Sequence, residues 1–247
     1  MMTAQQMIAV EMKATGATGF AQEAGIILNA MLQELAQDYD IAVNLFTTTL
    51  VVNGSGPNQG MGPYNLPANY LRMAVDELTY QIDQIPYLMT QITLAQMDIQ
   101  LNVAGAADFP TRFATDVSVS NAVPFLYVYP PPSQSITLQL RYYGTRPDIV
   151  SPEISSTVPW FPCQAYLRAR LRGELYNMKG AAEKAAVYLG MGMPSSMMAP
   201  ISAPAILRHW LQLQGDKEMT GSQVVLDRRY FGSGGQAFPP SKVTGGV

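Results

Sequence analysis

Apolar positions change their period twice along this chain. From Phe20 to about Gln37, the residues Ala24, Ile27, Leu28, Met31 and Leu35 recur at the i, i+3, i+4, i+7 spacing of an amphipathic helix. Asn29, Gln33 and Gln37 lie off that stripe. A shorter helix is predicted before it, from Thr3 to about Lys13, because Thr3 and Gln6 have capping-box spacing. Gly16 and Gly19 punctuate the two. At Val43 the period becomes two. Phe46, Thr48, Leu50 and Val52 alternate with Leu45, Thr47, Thr49 and Val51, all of them strand formers.

Residues 53–63 hold four glycines and two prolines in eleven positions, which predicts a loop or a long hairpin tip. Further short strands are expected at 64–66, 71–75, 112–118, 124–129 and 135–143. In the last of these, Ile136, Leu138, Leu140 and Tyr142 face one way and Thr137, Gln139, Arg141 and Tyr143 the other. Pro130, Pro131 and Pro132 turn the chain between the last two strands and cannot donate to a ladder. Thr93 is positioned to cap a short helix at 94–98. Helical spacing returns after Pro162 with Leu167, Leu171, Leu175 and Met178. Gly180 weakens this helix, and 181–189 continue its pattern. A Met-rich connector at 190–200 leads to a final helix, capped by Ser202 and stopped by Gly215.

The pattern thus predicts an α+β chain with a discontinuous plan. A helical domain is built from residues 1–42 and 158–215 and interrupted by a β-rich insertion at 43–157. An extended C-terminal arm follows at 216–247. That arm is rich in Gly, Ser, Pro and charge, with one strand-like run at 224–226.

Composition narrows the function classes. A length of 247 residues is one large domain or two small ones and needs no disulfide staples. One Cys excludes a disulfide framework and multi-Cys metal sites, and one His excludes paired-His motifs. Charged residues make up 13%, about half the usual share, and net charge is −3. A surface so poor in charge predicts extensive cover by other protein, hence an obligate oligomer; the 15 Met and 13 Tyr fit such interfaces. Weak acidity argues against a general nucleic-acid binder. The first residues have no basic n-region or apolar block, and no stretch approaches a membrane span, so a reducing cytosol or something assembled there is expected.

Candidate chemistry is sparse. His209 has no nucleophile motif around it and reads as a packing or interface residue. Cys163 opens a helix, where a thiolate could be activated, but it reads as a small semi-buried residue. Asp76–Glu77 point to opposite faces of a strand, and Asp38 and Asp40 do not face each other on a helix. The glycines at 54–62 precede neither Lys-Ser/Thr nor a helix, so they are no phosphate loop. No catalytic residue, metal site or cofactor is therefore expected. Arg168, Arg170 and Arg172 form the one basic cluster on a helix; Arg168 and Arg172 share a face that Lys179 can continue. They could meet DNA, meet an acidic neighbour, or lie on a solvated face. Charge is partitioned: 1–42 and 43–157 are each net −4, whereas 158–215 is net +4. Neighbouring copies would attract through such blocks.

Several strings, in order along most of the chain, carry a resemblance. They are AGIILNAML at 24–32, YNLPANYLR at 64–72, PYLMTQI at 86–92, DFPTRFATD at 108–116, FLYVYP at 125–130 leading to LRYY at 140–143, VPWFP at 158–162 and VVLDRRYF at 224–231. Together they resemble bacteriophage head-to-tail adaptor (connector) proteins, the family of packaged-DNA stabilisation proteins and tail tubular protein A of short-tailed phages. In that family the stretch from 125 to 143 would be a proline-turned hairpin.

The resemblance implies a structural virion protein, assembled in the host cytoplasm. It would form a homo-oligomeric ring of roughly twelve copies under the portal protein. The ring would extend the channel for double-stranded DNA and carry the tail nozzle or tube. Within it, Arg168, Arg172 and Lys179 are expected to make inter-subunit charge contacts with an acidic neighbour. Val224, Leu226, Asp227, Arg228, Arg229, Tyr230 and Phe231 of the arm are expected to bind the portal or the adjacent subunit. Another ring of the tail channel, a glycan-binding or capsid-decorating β module, and a tail-associated hydrolase are the competing readings.

Overall fold

A computed structural model describes residues 1–102, 108–117, 123–191 and 200–217. It is α+β, with six helices and an eight-stranded mixed sheet among those residues. Helix α1 (Ala4–Thr15) starts at Thr3, whose side chain and that of Gln6 form the reciprocal capping box; Gly16 closes it in the left-handed conformation. Helix α2 (Ala21–Asp38) buries Ala24, Leu28, Met31, Leu32 and Leu35, so the 3.6-residue stripe is its core face. The chain then enters the sheet through β1 (Leu45–Val52).

The remaining strands are β2 (Tyr64–Asn65), β3 (Tyr70–Met73), β4 (Glu77–Ile82), β5 (Ile85–Gln91), β6 (Arg112–Asp116), β7 (Phe125–Tyr129) and β8 (Ile136–Gly144). Helix α3 (Leu94–Leu101) follows β5, with the Thr93–Gln96 capping box in place. The order is β1-β8-β4-β5-β6-β7-β2, with β3 also on β8. Only β5–β6 is parallel. The period-two pattern of β8 is realised in full: Ile136, Leu138, Leu140 and Tyr142 are buried, Thr137, Gln139 and Arg141 exposed.

Two features of this sheet depart from the sequence reading. The first is the hairpin β4–β5, which stands where the sequence pattern predicts no strand. Its two-residue turn, Asp83–Gln84, has both residues at positive φ, 49° and 66°. Such turns usually announce themselves with Asn-Gly or Asp-Gly, and here the glycine is missing. Next, β7 and β8 are not a proline-turned hairpin. Residues 130–135 join them, but β4, β5 and β6 stand between them in the sheet. Likewise 53–63 is no hairpin tip, since β1 pairs with β8 and β2 with β7. The inner faces of all eight strands share one cluster that includes Val52, Tyr64, Tyr70, Leu78, Met89, Phe113, Leu126 and Leu138.

A second cluster is helical. It draws on α1, α2, α4 (Gln164–Met178) and α6 (Ala203–Lys217), with Ile41, Ile149 and Phe161. Phe161 is fully buried, with its ring 5.9 Å from Trp160, 5.7 Å from Tyr166 and 4.9 Å from Trp210. Helix α4 does not run on through Gly180. At φ +72° that glycine reverses the chain, and α5 (Ala182–Leu189) packs back on α4. Gly173 permits the close approach: a Cβ there would lie 2.6 Å from Leu189 Cδ2. Gly215 does not stop α6, which continues to Lys217; an interior glycine costs a helix only about 1 kcal/mol. Ser202 directly precedes α6, yet its buried hydroxyl has no hydrogen-bond partner among the described residues.

Polar side chains bind α2 to the sheet and to the segment that leaves β8. Asn29 on α2 donates to the Ile149 carbonyl at 3.0 Å and accepts from the Ile149 N–H at 3.1 Å. Gln33 donates to the Arg146 carbonyl and to Asp148 Oδ1, both at 2.9 Å. Arg72 on β3 donates to Asp40 Oδ1 at 2.7 Å and to the Gln37 carbonyl at 2.8 Å. These are the residues that lie off the apolar stripe of α2, or just past its end.

Candidate interaction surface

The basic cluster on α4 is built by helical spacing. Arg168 and Arg172, one turn apart, reach toward α1, where Glu11 is fully buried. Arg168 Nε donates to Glu11 Oε1 and Arg172 Nε to Glu11 Oε2, each at 2.6 Å. A buried carboxylate needs such partners, because an unpaired charge in the interior is very costly. The bond that Arg172 donates to Glu11 is the largest influence raising the Arg172 pKa, and the bond to the Tyr188 hydroxyl adds to it. The Arg172 guanidinium also lies 5.4 Å from the centre of the Tyr188 ring. Lys179 Nζ donates to the Thr15 carbonyl at 2.8 Å, at the negative end of the α1 dipole.

Arg170 faces the other way, toward Glu34 at 3.4 Å and Glu174 at 3.1 Å. Burial acts to lower its pKa, but Glu34, Tyr166 and Glu174 outweigh that and raise it. The acidic partner expected of this cluster is therefore present inside the chain. These side chains fasten α1 and α2 to α4, and Glu11, which sequence reading did not single out, is the group they converge on. Its signal was available: an acid at an otherwise apolar position, beside Met7 and Ile8.

The candidate catalytic groups are not brought together. Cys163 is half-buried at the N-terminal end of α4, and burial pushes its thiol pKa up, opposite to activation. His209 is exposed on α6. Asp76 and Glu77 are exposed, and Asp40 is paired with Arg72. Among the described residues no group of three or more His, Cys, Asp or Glu could hold a metal ion. An open depression of about 370 Å³ is lined by Phe46, Asn69, Arg146 and Pro147, without acid–base pairing in its walls. No helix among the described residues is long and apolar enough to cross a membrane. Val224 to Phe231 of the arm lie outside the described residues.

What the surface does offer is apolar contact. Val150 is 84% exposed, Ile154 70% and Ile26 69%. Gly25 packs directly on Pro152 and Glu153, which places Ile26 beside the segment that carries the other two. Large exposed aliphatic side chains on a charge-poor protein mark surfaces that other proteins cover.

Among the described residues the site thus offers a paired ionic core and exposed aliphatic side chains, and the candidate catalytic groups stay apart. The model of the SU10 adaptor protein family matches residues 2–197, which takes in α1 to α5 and the whole sheet. The chain belongs to that family, and so to the head-to-tail adaptors of bacteriophage virions. No curated protein matches it.

Proposed function

We propose that copies of this chain form a closed ring of roughly twelve under the portal, extending the DNA channel and carrying the tail nozzle or tube below. The family match, running through both hydrophobic clusters, carries this reading. The 13% charged fraction supports it, because ring subunits exchange water for one another over much of their surface. Net negative copies suit a channel through which DNA must slide without being gripped. The branch of the packaged-DNA stabilisation and tail tubular A-like proteins is the one we favour. Arm residues 224–231 bind the portal or the adjacent subunit. Arg168, Arg172 and Lys179, already paired within the chain, keep their solvent-side donors for a neighbour's acid; Arg168 is 38% exposed.

Electron cryomicroscopy of the full-length protein on its phage's portal tests the proposal. We expect a continuous ring with subunit–subunit contact and a central channel. Copies seated apart on the portal, or a ring found elsewhere in the tail, would overturn it.

A further inference from the structure

Among the described residues three strands have a single ladder partner, β1, β2 and β3; β3 is four residues long, carries Arg72 and shifts register along β8. At one end β2 is two residues long and flanked by Pro63 and Pro67. Bonds from Leu66 N–H to the Pro124 carbonyl and from Val128 N–H to the Met61 carbonyl extend its pairing with β7. Where β5 runs past its short pairing with β6, Pro86 sits on the strand and Phe109 covers Tyr87 at 5.0 Å. Short strands, prolines and covering loops are how proteins protect sheet edges. Strand β1 has none of these. It is eight residues long, LFTTTLVV, without charge or proline, and β8 is its one ladder partner among the described residues.

Burial says the same. The inward side chains of β8 are shielded, with Leu138 at 0% and Leu140 at 1%. Their neighbours on β1, Phe46, Thr48 and Leu50, point to the same core and are only half-buried. One more strand beside β1 would complete that layer.

We infer that β1 is a strand-acceptor edge, and that its occupant is the run 224–231 of a neighbouring copy. This deepens the ring reading and rests on it. The alternative strand, β1 of a second copy, would pair about a two-fold axis and stop at a dimer. An arm laid on the next subunit's edge is heterologous and repeats around a ring. The arm's chemistry fits. Val224 and Leu226 share one face and would lie beside Phe46 and Leu50, while Val225 and Asp227 face out with Thr47 and Thr49. Main-chain bonds along the edge supply affinity, and the alternate side chains supply register. Arg228 and Arg229 follow, next to a segment of net charge −4. Six residues, 218–223, separate Lys217 from Val224, enough for a span of about 24 Å away from the helical unit.

Two full-length variants in a Cys163→Ser background test this, one carrying Thr49→Cys and the other Val225→Cys. Mixed equally, assembled on portal rings and treated with a short bismaleimide, they should give a covalent dimer that neither variant gives alone. Adding Thr48→Lys to the first places a charge where the new strand must pack. It should abolish the dimer while leaving the free subunit folded, as judged by amide-exchange protection along β8. Rings seen by microscopy without the dimer, a dimer from one variant alone, an arm–portal adduct instead, or a dimer indifferent to Thr48→Lys would each overturn the inference and leave the ring standing. Absence of rings from the unmodified protein would remove both.

Discussion

The helical unit and the sheet solve the same problem, burying a chain with few charges, in opposite ways. The helical unit keeps charge inside. Glu11 is sealed between Arg168 and Arg172, and Arg170 bridges Glu34 and Glu174. Among the described residues no ion pair joins two strands of the sheet. Its interior polar groups are tyrosine hydroxyls: Tyr80 donates to the Pro110 carbonyl at 2.9 Å, Tyr64 to the Gly60 carbonyl at 2.7 Å, and Tyr142 to Asn69 Oδ1 at 3.1 Å. Directional charge pairs lock helix against helix in one register. Neutral hydroxyls and alternating aliphatics leave the sheet's edge chemistry uniform, which suits an element that receives another strand.

The largest effect should come from cutting one hydrophobic cluster and watching the other. Phe161→Ala removes a fully buried ring and should cost about 4 kcal/mol; Leu138→Ala in β8 should cost about 3 kcal/mol. Both tryptophans, Trp160 and Trp210, belong to the helical cluster, so their fluorescence reports on it alone. Amide exchange along β8 reports on the sheet. Phe161→Ala should shift the fluorescence transition and leave exchange in β8 unchanged. An equal loss of protection in β8 would mean that Asn29, Gln33 and Arg72 weld the two into one cooperative unit, ending the comparison.

A smaller loss, about 2–3 kcal/mol, is expected for Glu11→Ala. The upper range for breaking a buried pair does not apply, because Arg168 and Arg172 are 38% and 27% exposed and regain water. Urea unfolding followed by tryptophan fluorescence measures it. A loss below about 0.5 kcal/mol would place this triad with ordinary surface pairs and remove the contrast with the sheet.

The mildest test is alkaline pH. Burial, followed by Tyr87 and Asp108, pushes the Tyr80 pKa up to about 12 from an ordinary 10.0. Burial is also the first cause of the upward shifts of Tyr64, Tyr70, Tyr127 and Tyr142. A raised phenol pKa means that the fold favours the neutral form. This stability is fully present below pH 10 and is lost as pH climbs from about 10 to about 12. Arg170 and Arg172 are held charged beyond their ordinary range, so the helical pairs persist across that window. Protection in β8 should therefore fall before the tryptophan signal moves. The reverse order would contradict the assignment of charge to one unit and hydroxyls to the other.

Local chemistry explains what could be read early. The Thr3–Gln6 and Thr93–Gln96 capping boxes, the stripe of α2 and the alternation of β1 and β8 each need only a few consecutive residues, and each is realised. The β4–β5 hairpin escaped because its turn lacks glycine, although Leu78 and Tyr80 alternate with Thr79 and Gln81 as a strand should. Gly180 and Gly215 show the limit of reading single residues. One reverses the chain at positive φ, whereas the other is carried inside a helix, and neighbouring packing decides between them.

By itself, then, the sequence determined the α+β class, the helix stripes, the faces of the strands and the scarcity of charge, because these follow from periodicity and composition over short spans. Only the tertiary structure decided which strands pair, since β7 and β8 are close in sequence yet lie apart in the ladder. It alone decided the partner of Arg168 and Arg172, because Glu11 lies more than a hundred and fifty residues away along the chain and meets them through helix packing. It also decided that β1, read simply as a strand, stands at an edge. An edge is a property of what is not beside a strand, and spacing along the chain carries no record of that.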